Sequence, residues 1–123
     1  MVPAEIVSGR DPVLLVVEDE VLIRLSVCDF LRDEGFTVIE ACSARDALAV
    51  LNVRRDITLV LTDLNMSGAM EGVRLIREIR RSYPAIKVIT ASAYQVTEPV
   101  EATITKPYSL DRLLAIIKSV LDL

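Results

Sequence analysis

Histidine is absent from this 123-residue chain. That one absence removes imidazole acid/base catalysis, Ser-His-Asp triads and histidine ligation of metals. Tryptophan is missing as well, and aromatics make up only 4% of residues, so there is no platform on which nucleic-acid bases could stack. The two cysteines, Cys28 and Cys42, are too few and too badly spaced for a disulfide framework or a zinc site. Both are expected as small core residues. Positive charge is in deficit, 14 Lys and Arg against 18 Asp and Glu, and the net charge of −4 speaks against direct nucleic-acid binding. Long apolar runs are missing too, although 52% of residues are hydrophobic. No transmembrane helix fits, and the N-terminus lacks the basic and apolar pattern of a secretion signal. The expectation is a cytoplasmic chain with no membrane partner.

What is present is a series of short apolar runs that end in polar groups. Ile57 to Leu61 has the pattern of a strand buried on both faces, and it leads into Asp63. Val13 to Val17 is a second such run and leads into Glu18, Asp19 and Glu20. Phe36 to Ala41, Ile86 to Ala91 and Ala102 to Thr105 read as three more strands. Between them lie helical stripes: Val21, Leu22, Leu25, Cys28 and Leu31, closed by Gly35; Ala44, Ala47, Leu48 and Leu51 behind an N-cap at Ser43; and Val73, Leu75, Ile76 and Ile79, stopped at Pro84. Ser109 caps a last helix carrying Leu110, Leu113, Leu114, Ile117 and Leu121. These stripes are read as core. Met1 to Pro12 has no periodicity and reads as a flexible lead-in to a single domain over residues 13–123.

Alternating strands and helices predict an α/β fold, a doubly wound parallel sheet. The segment from Ser92 to Lys106 is too short for a helix plus a strand and contains Pro99, so the fourth helix is expected to be short or absent. In a parallel sheet all strands deliver their C-terminal residues to one edge. Here that edge collects Glu18, Asp19, Asp63, Ser92 and Lys106. Crowded carboxylates repel unless a cation shares them, and an all-oxygen donor set selects a hard ion, Mg2+ before others. A lysine and a hydroxyl facing such an ion suit a phosphoryl group.

Val16-Val17-Glu18-Asp19-Glu20, Leu61-Thr62-Asp63-Leu64-Asn65-Met66, Glu71-Gly72, Ser92-Ala93 and Lys106-Pro107-Tyr108 together resemble the receiver domain of two-component response regulators. The resemblance runs from about Val13 to Leu121 and implies the flavodoxin-like strand order 2-1-3-4-5. It also implies a signalling module of a phosphorelay rather than an enzyme, apart from chemistry on its own carboxylate. Asp63 matches the aspartate that takes a phosphoryl group from a phosphohistidine of a sensor histidine kinase or histidine phosphotransfer protein. Glu18 and Asp19 match the acidic pair that, with Asp63 and the backbone carbonyl of Asn65, holds Mg2+. Ser92 matches the switch hydroxyl and Ala93 the small residue beside it, with Thr90 as the alternative hydroxyl on the same strand face. Lys106 matches the phosphoryl-contacting lysine, before a Pro107 expected in cis. A homodimer is compatible with this reading.

The chain departs from the family pattern in three places. Ser67 stands where proline is usual, Ala69 adds a residue before Glu71-Gly72, and Thr103 replaces the usual switching Tyr or Phe. Three other classes compete. A Mg2+-dependent aspartyl-nucleophile phosphatase would want a carboxylate at position 65, where the chain has Asn65. A flavin or nucleotide binder would want a Gly-rich loop after the first strand, where the chain has acids. A degenerate receiver serving only as an interaction module would have no need of Asp63, Asp19 and Lys106.

Overall fold

In the computed structural model, which describes residues 12–64, 69–93 and 96–123, the five apolar runs form one sheet. The strands are β1 (Val13–Val17), β2 (Thr37–Ala41), β3 (Ile57–Asp63), β4 (Lys87–Ser92) and β5 (Ala102–Thr105). They pair in parallel in the order β2-β1-β3-β4-β5. Parallel neighbours need crossovers, and helices supply three of the four: α1 (Val21–Asp33), α2 (Ala44–Val53) and α3 (Ala69–Ser82). A fourth helix, α4 (Leu110–Leu121), follows β5. Ser43 and Ser109 cap α2 and α4 through their side-chain oxygens, which accept from the Asp46 and Arg112 N–H groups. Gly35, at φ 100°, turns the chain from α1 into β2.

The sheet splits the core into two layers. Leu15, Val17, Val60 and Val88 point toward α2 and α3, where Leu51, Leu75, Ile76 and Ile79 meet them. Leu14, Val16, Leu59, Leu61, Ile89 and Ile104 point toward α1 and α4, against Val27, Cys28, Leu31, Leu113 and Ile117. Residues 96–101 contain no helix, which agrees with the expected loss of a fourth-crossover helix; Tyr94 and Gln95 lie outside the described residues. In its place Val96 and Val100 pack against the α2/α3 layer.

Two sequence expectations need correction. Cys42 is exposed rather than in the core, because it lies one residue beyond β2 at the sheet edge, where it donates to Asp46 Oδ2 at 2.6 Å. On α1, Val21, Leu22 and Leu25 are exposed, Leu22 at 79%. Cys28 and Leu31 are buried as expected, but Val27 completes the buried stripe with them, and in the first turns the half-buried Arg24 takes the inward side in place of Val21, Leu22 and Leu25.

Candidate functional site

Strand register brings the first two acids together. Val17 pairs with Thr62, so the next residues, Glu18 and Asp63, leave neighbouring strands at the same height. Both are 6% exposed, while Asp19 is open to solvent. Single carboxylate oxygens of Glu18, Asp19 and Asp63 lie within 4.8 Å of one another. The Glu18 backbone N–H donates to the Ala41 carbonyl at 3.0 Å, and Glu18 Oε2 accepts from the Glu20 N–H at 3.0 Å.

This crowding shows in the acidity of Glu18. Its carboxyl is pushed up to about 7, first by burial and then by the neighbouring Asp63, against the opposing Glu20 N–H and the Lys106 charge. From the other side Lys106 Nζ donates to Asp63 Oδ2 at 2.6 Å. Its position follows from β5, since Thr105 pairs with Ser92 and the Lys106 N–H donates to the Ser92 carbonyl at 2.8 Å. The Lys106–Pro107 peptide is cis.

Ser92 ends β4, one residue past the Ala91 that pairs with Asp63, and is 2% exposed. Thr90 lies deeper, paired with Thr62 and wholly buried; among the described residues neither threonine hydroxyl has a hydrogen-bond partner. Asn65, Met66 and Ser67 lie outside the described residues. Ala69, the added residue before Glu71-Gly72, is the first of α3. Gly72 lets that helix press on the strand end: a Cβ there would stand 2.7 Å from Leu64 Cδ2 and 3.9 Å from the Asp63 carbonyl.

Tyr108 had a place in the motif but no role from sequence. Its ring helps line a narrow pocket with Glu18, Asp63, Leu61 and Val27, and burial followed by the Glu18 and Asp63 charges pushes its phenol up to about 12. It stays a neutral donor. Its place after Lys106-Pro107 was the only available signal.

The donor set suits a hard cation, three carboxylate oxygens close together with no nitrogen or sulfur among them. A phosphoryl group between that ion and Lys106 would meet positive charge from both sides.

A five-stranded parallel sheet in this order, with acids and a lysine converging on its C-terminal edge, defines a class of signalling domain. Residues 14–118 match the response regulator receiver domain family, and the chain belongs to that family. It is 35% identical, over 94% of its length, to the sensor kinase CckA of Brucella abortus, of which it covers 13%. Its fold matches a CheY-like receiver domain protein of Methanospirillum hungatei with a TM-score of 0.83 at 29% identity, covering 91% of this chain and 94% of that one. It also matches the response regulator TrrA of Thermotoga maritima, solved in complex with Mg2+ and BeF, with a TM-score of 0.79 at 26% identity; the match covers 89% of this chain and 98% of that one. The chain spans 13% to 26% of the length of the curated regulators and kinase it resembles. Among the described residues no helix is long and apolar enough to cross a membrane.

Proposed function

We propose that Asp63 accepts a phosphoryl group from a phosphohistidine of a sensor histidine kinase or histidine phosphotransfer protein, with residues 13–123 as the phosphorylated unit in the cytoplasm. The observation that carries this reading is the placement of the buried Asp63 carboxylate between two acids and the Lys106 ammonium. A carboxylate oxygen of Asp63 attacks phosphorus while the bond from phosphorus to the partner's imidazole nitrogen breaks. The electron pair stays on that nitrogen, which takes a proton, and an acyl phosphate remains on Asp63. Lys106, now hydrogen-bonded to Asp63, transfers its contact to a phosphoryl oxygen, and the Ser92 hydroxyl donates to another.

Glu18, Asp19, Asp63 and the Asn65 carbonyl would hold Mg2+. When bound, the ion neutralises charge on the phosphoryl oxygens. The Mg2+ and BeF in the related TrrA complex support this ligand class.

Intact-mass measurement with a small acyl-phosphate donor tests the proposal. Wild type gains one phosphoryl group only when Mg2+ is present, and Asp63→Asn gains none. An adduct that persists in Asp63→Asn would remove Asp63 from the role.

A further inference from the structure

The buried stripe of α1 holds one residue that does not belong in a core. Val27, Cys28 and Leu31 are apolar, but the stripe begins with Arg24, whose side chain is only 16% exposed. A guanidinium in such a place is costly unless its donors are satisfied. Arg24 makes two bonds: its Nε donates to Glu40 Oε1 at 3.1 Å, and its Nη1 to the Glu18 carbonyl at 2.9 Å. Glu40 also accepts from Arg32 Nη1 at 3.2 Å, and Arg32 Nη2 reaches the Val38 carbonyl at 2.9 Å. Two arginines therefore tie α1 to β2, but of the two only Arg24 also grips the acidic loop.

The gripped carbonyl belongs to the peptide joining Glu18 to Asp19. That peptide is planar and joins the two Cα atoms, so holding its orientation constrains the backbone angles from which both side chains leave. The Glu18 N–H is held by Ala41 from the β2 side, and Arg24 holds the following carbonyl.

We infer that Arg24 is a positioning residue for the acidic pair: through the Glu18 carbonyl it holds Glu18 and Asp19 in the arrangement that binds the cation. This rests on the reading of the site as a cation-dependent phosphoacceptor. The effect runs through the backbone, since the groups acting most strongly on the Glu18 carboxyl are its own burial, the Glu20 N–H, Asp63 and Lys106.

Isothermal titration with Mg2+ tests this on wild type, Arg24→Met, Arg24→Lys and Arg32→Met. Methionine keeps an aliphatic stem in the core and removes the donors. Arg24→Met is expected to weaken Mg2+ binding by about tenfold or more, the usual cost of losing a group that orients a metal ligand. Arg24→Lys, which retains a donor for the carbonyl, recovers most of that loss. Arg32→Met, which cuts the other tie between α1 and β2, binds Mg2+ like wild type. Should Arg24→Met fail to fold, Arg24→Leu, which likewise carries no donor, makes the same comparison.

Unchanged affinity in the Arg24 variant overturns the inference. So does equal weakening in Arg32→Met, which would assign the effect to helix docking in general. A wild type that neither binds Mg2+ nor takes a phosphoryl group would instead overturn the reading of the site itself, a result separable from either of these.

Discussion

Glu18 carries its proton to about pH 7 in the folded chain, against an ordinary value of 4.5, because burial and Asp63 both disfavour its charge. The folded state therefore binds more protons than the unfolded state between these values, and stability falls as pH rises through that window. The urea midpoint of the metal-free protein is expected to drop from about pH 4.5 to about pH 7, and Glu18→Gln should flatten the dependence. A midpoint that stays level in wild type across this range would contradict the assignment. Added Mg2+ selects the ionised form and should restore stability at the upper end. The two candidate hydroxyls differ in depth along β4. Ser92 sits at the sheet edge beside the acid, whereas Thr90 is one row deeper in the α2/α3 layer. The alternation of a strand puts both on one face, and the sequence favours Ser92 through its distance to Gly72 and the small Ala93 that follows it.

Residues 96–101, where a crossover helix was expected to be short or absent, form a strap held by arginines of α3. Arg80 donates through Nε to the Pro99 carbonyl at 2.8 Å and through Nη2 to Glu101 Oε1 at 2.5 Å, and Arg77 pairs with Glu98 at 3.1 Å. Glu101 Oε1 also accepts from the Val88 N–H at 2.6 Å, which links the strap to β4. Removing Arg80 takes away donors from a carbonyl and a carboxylate that water can still reach, so Arg80→Ala should cost about 0.5–1 kcal/mol. Amide exchange at Val88 and Glu101 should speed up with it. Arg81→Ala breaks only an exposed pair with Glu78 and should leave both readouts unchanged. Equal effects of the two substitutions would deny the strap its anchor. The position of Pro99 and the shortness of the segment announced the missing helix. The arginine anchors were not legible, because they join residues about twenty positions apart through side-chain geometry.

At the scale of the whole molecule the sheet is a partition with a core on each face. Leu14 and Leu15 are consecutive, both fully buried, and point into opposite layers. Alanine at either position should cost about 2–5 kcal/mol by cavity formation, measured by urea unfolding. A small loss at one of them would mean that its layer is loosely packed. Strand composition foretold this double burial, since an apolar run without alternation fits only a strand covered on both sides. By itself the sequence determined the five strands, their parallel order through alternation and resemblance, and the delivery of Glu18, Asp19, Asp63, Ser92 and Lys106 to one edge. These follow from local pattern and from the rule that parallel strands end together. Tertiary structure alone decided that the first turns of α1 bring Arg24 inward and leave Leu22 exposed, while Cys28 and Leu31 are buried as the sequence indicated. It also decided that Tyr108 leans on the acids, that Cys42 faces solvent and that Glu18 holds its proton to about 7. The reason is physical: desolvation and side-chain contact depend on what distant elements bring alongside a residue, and no pattern within one element records that.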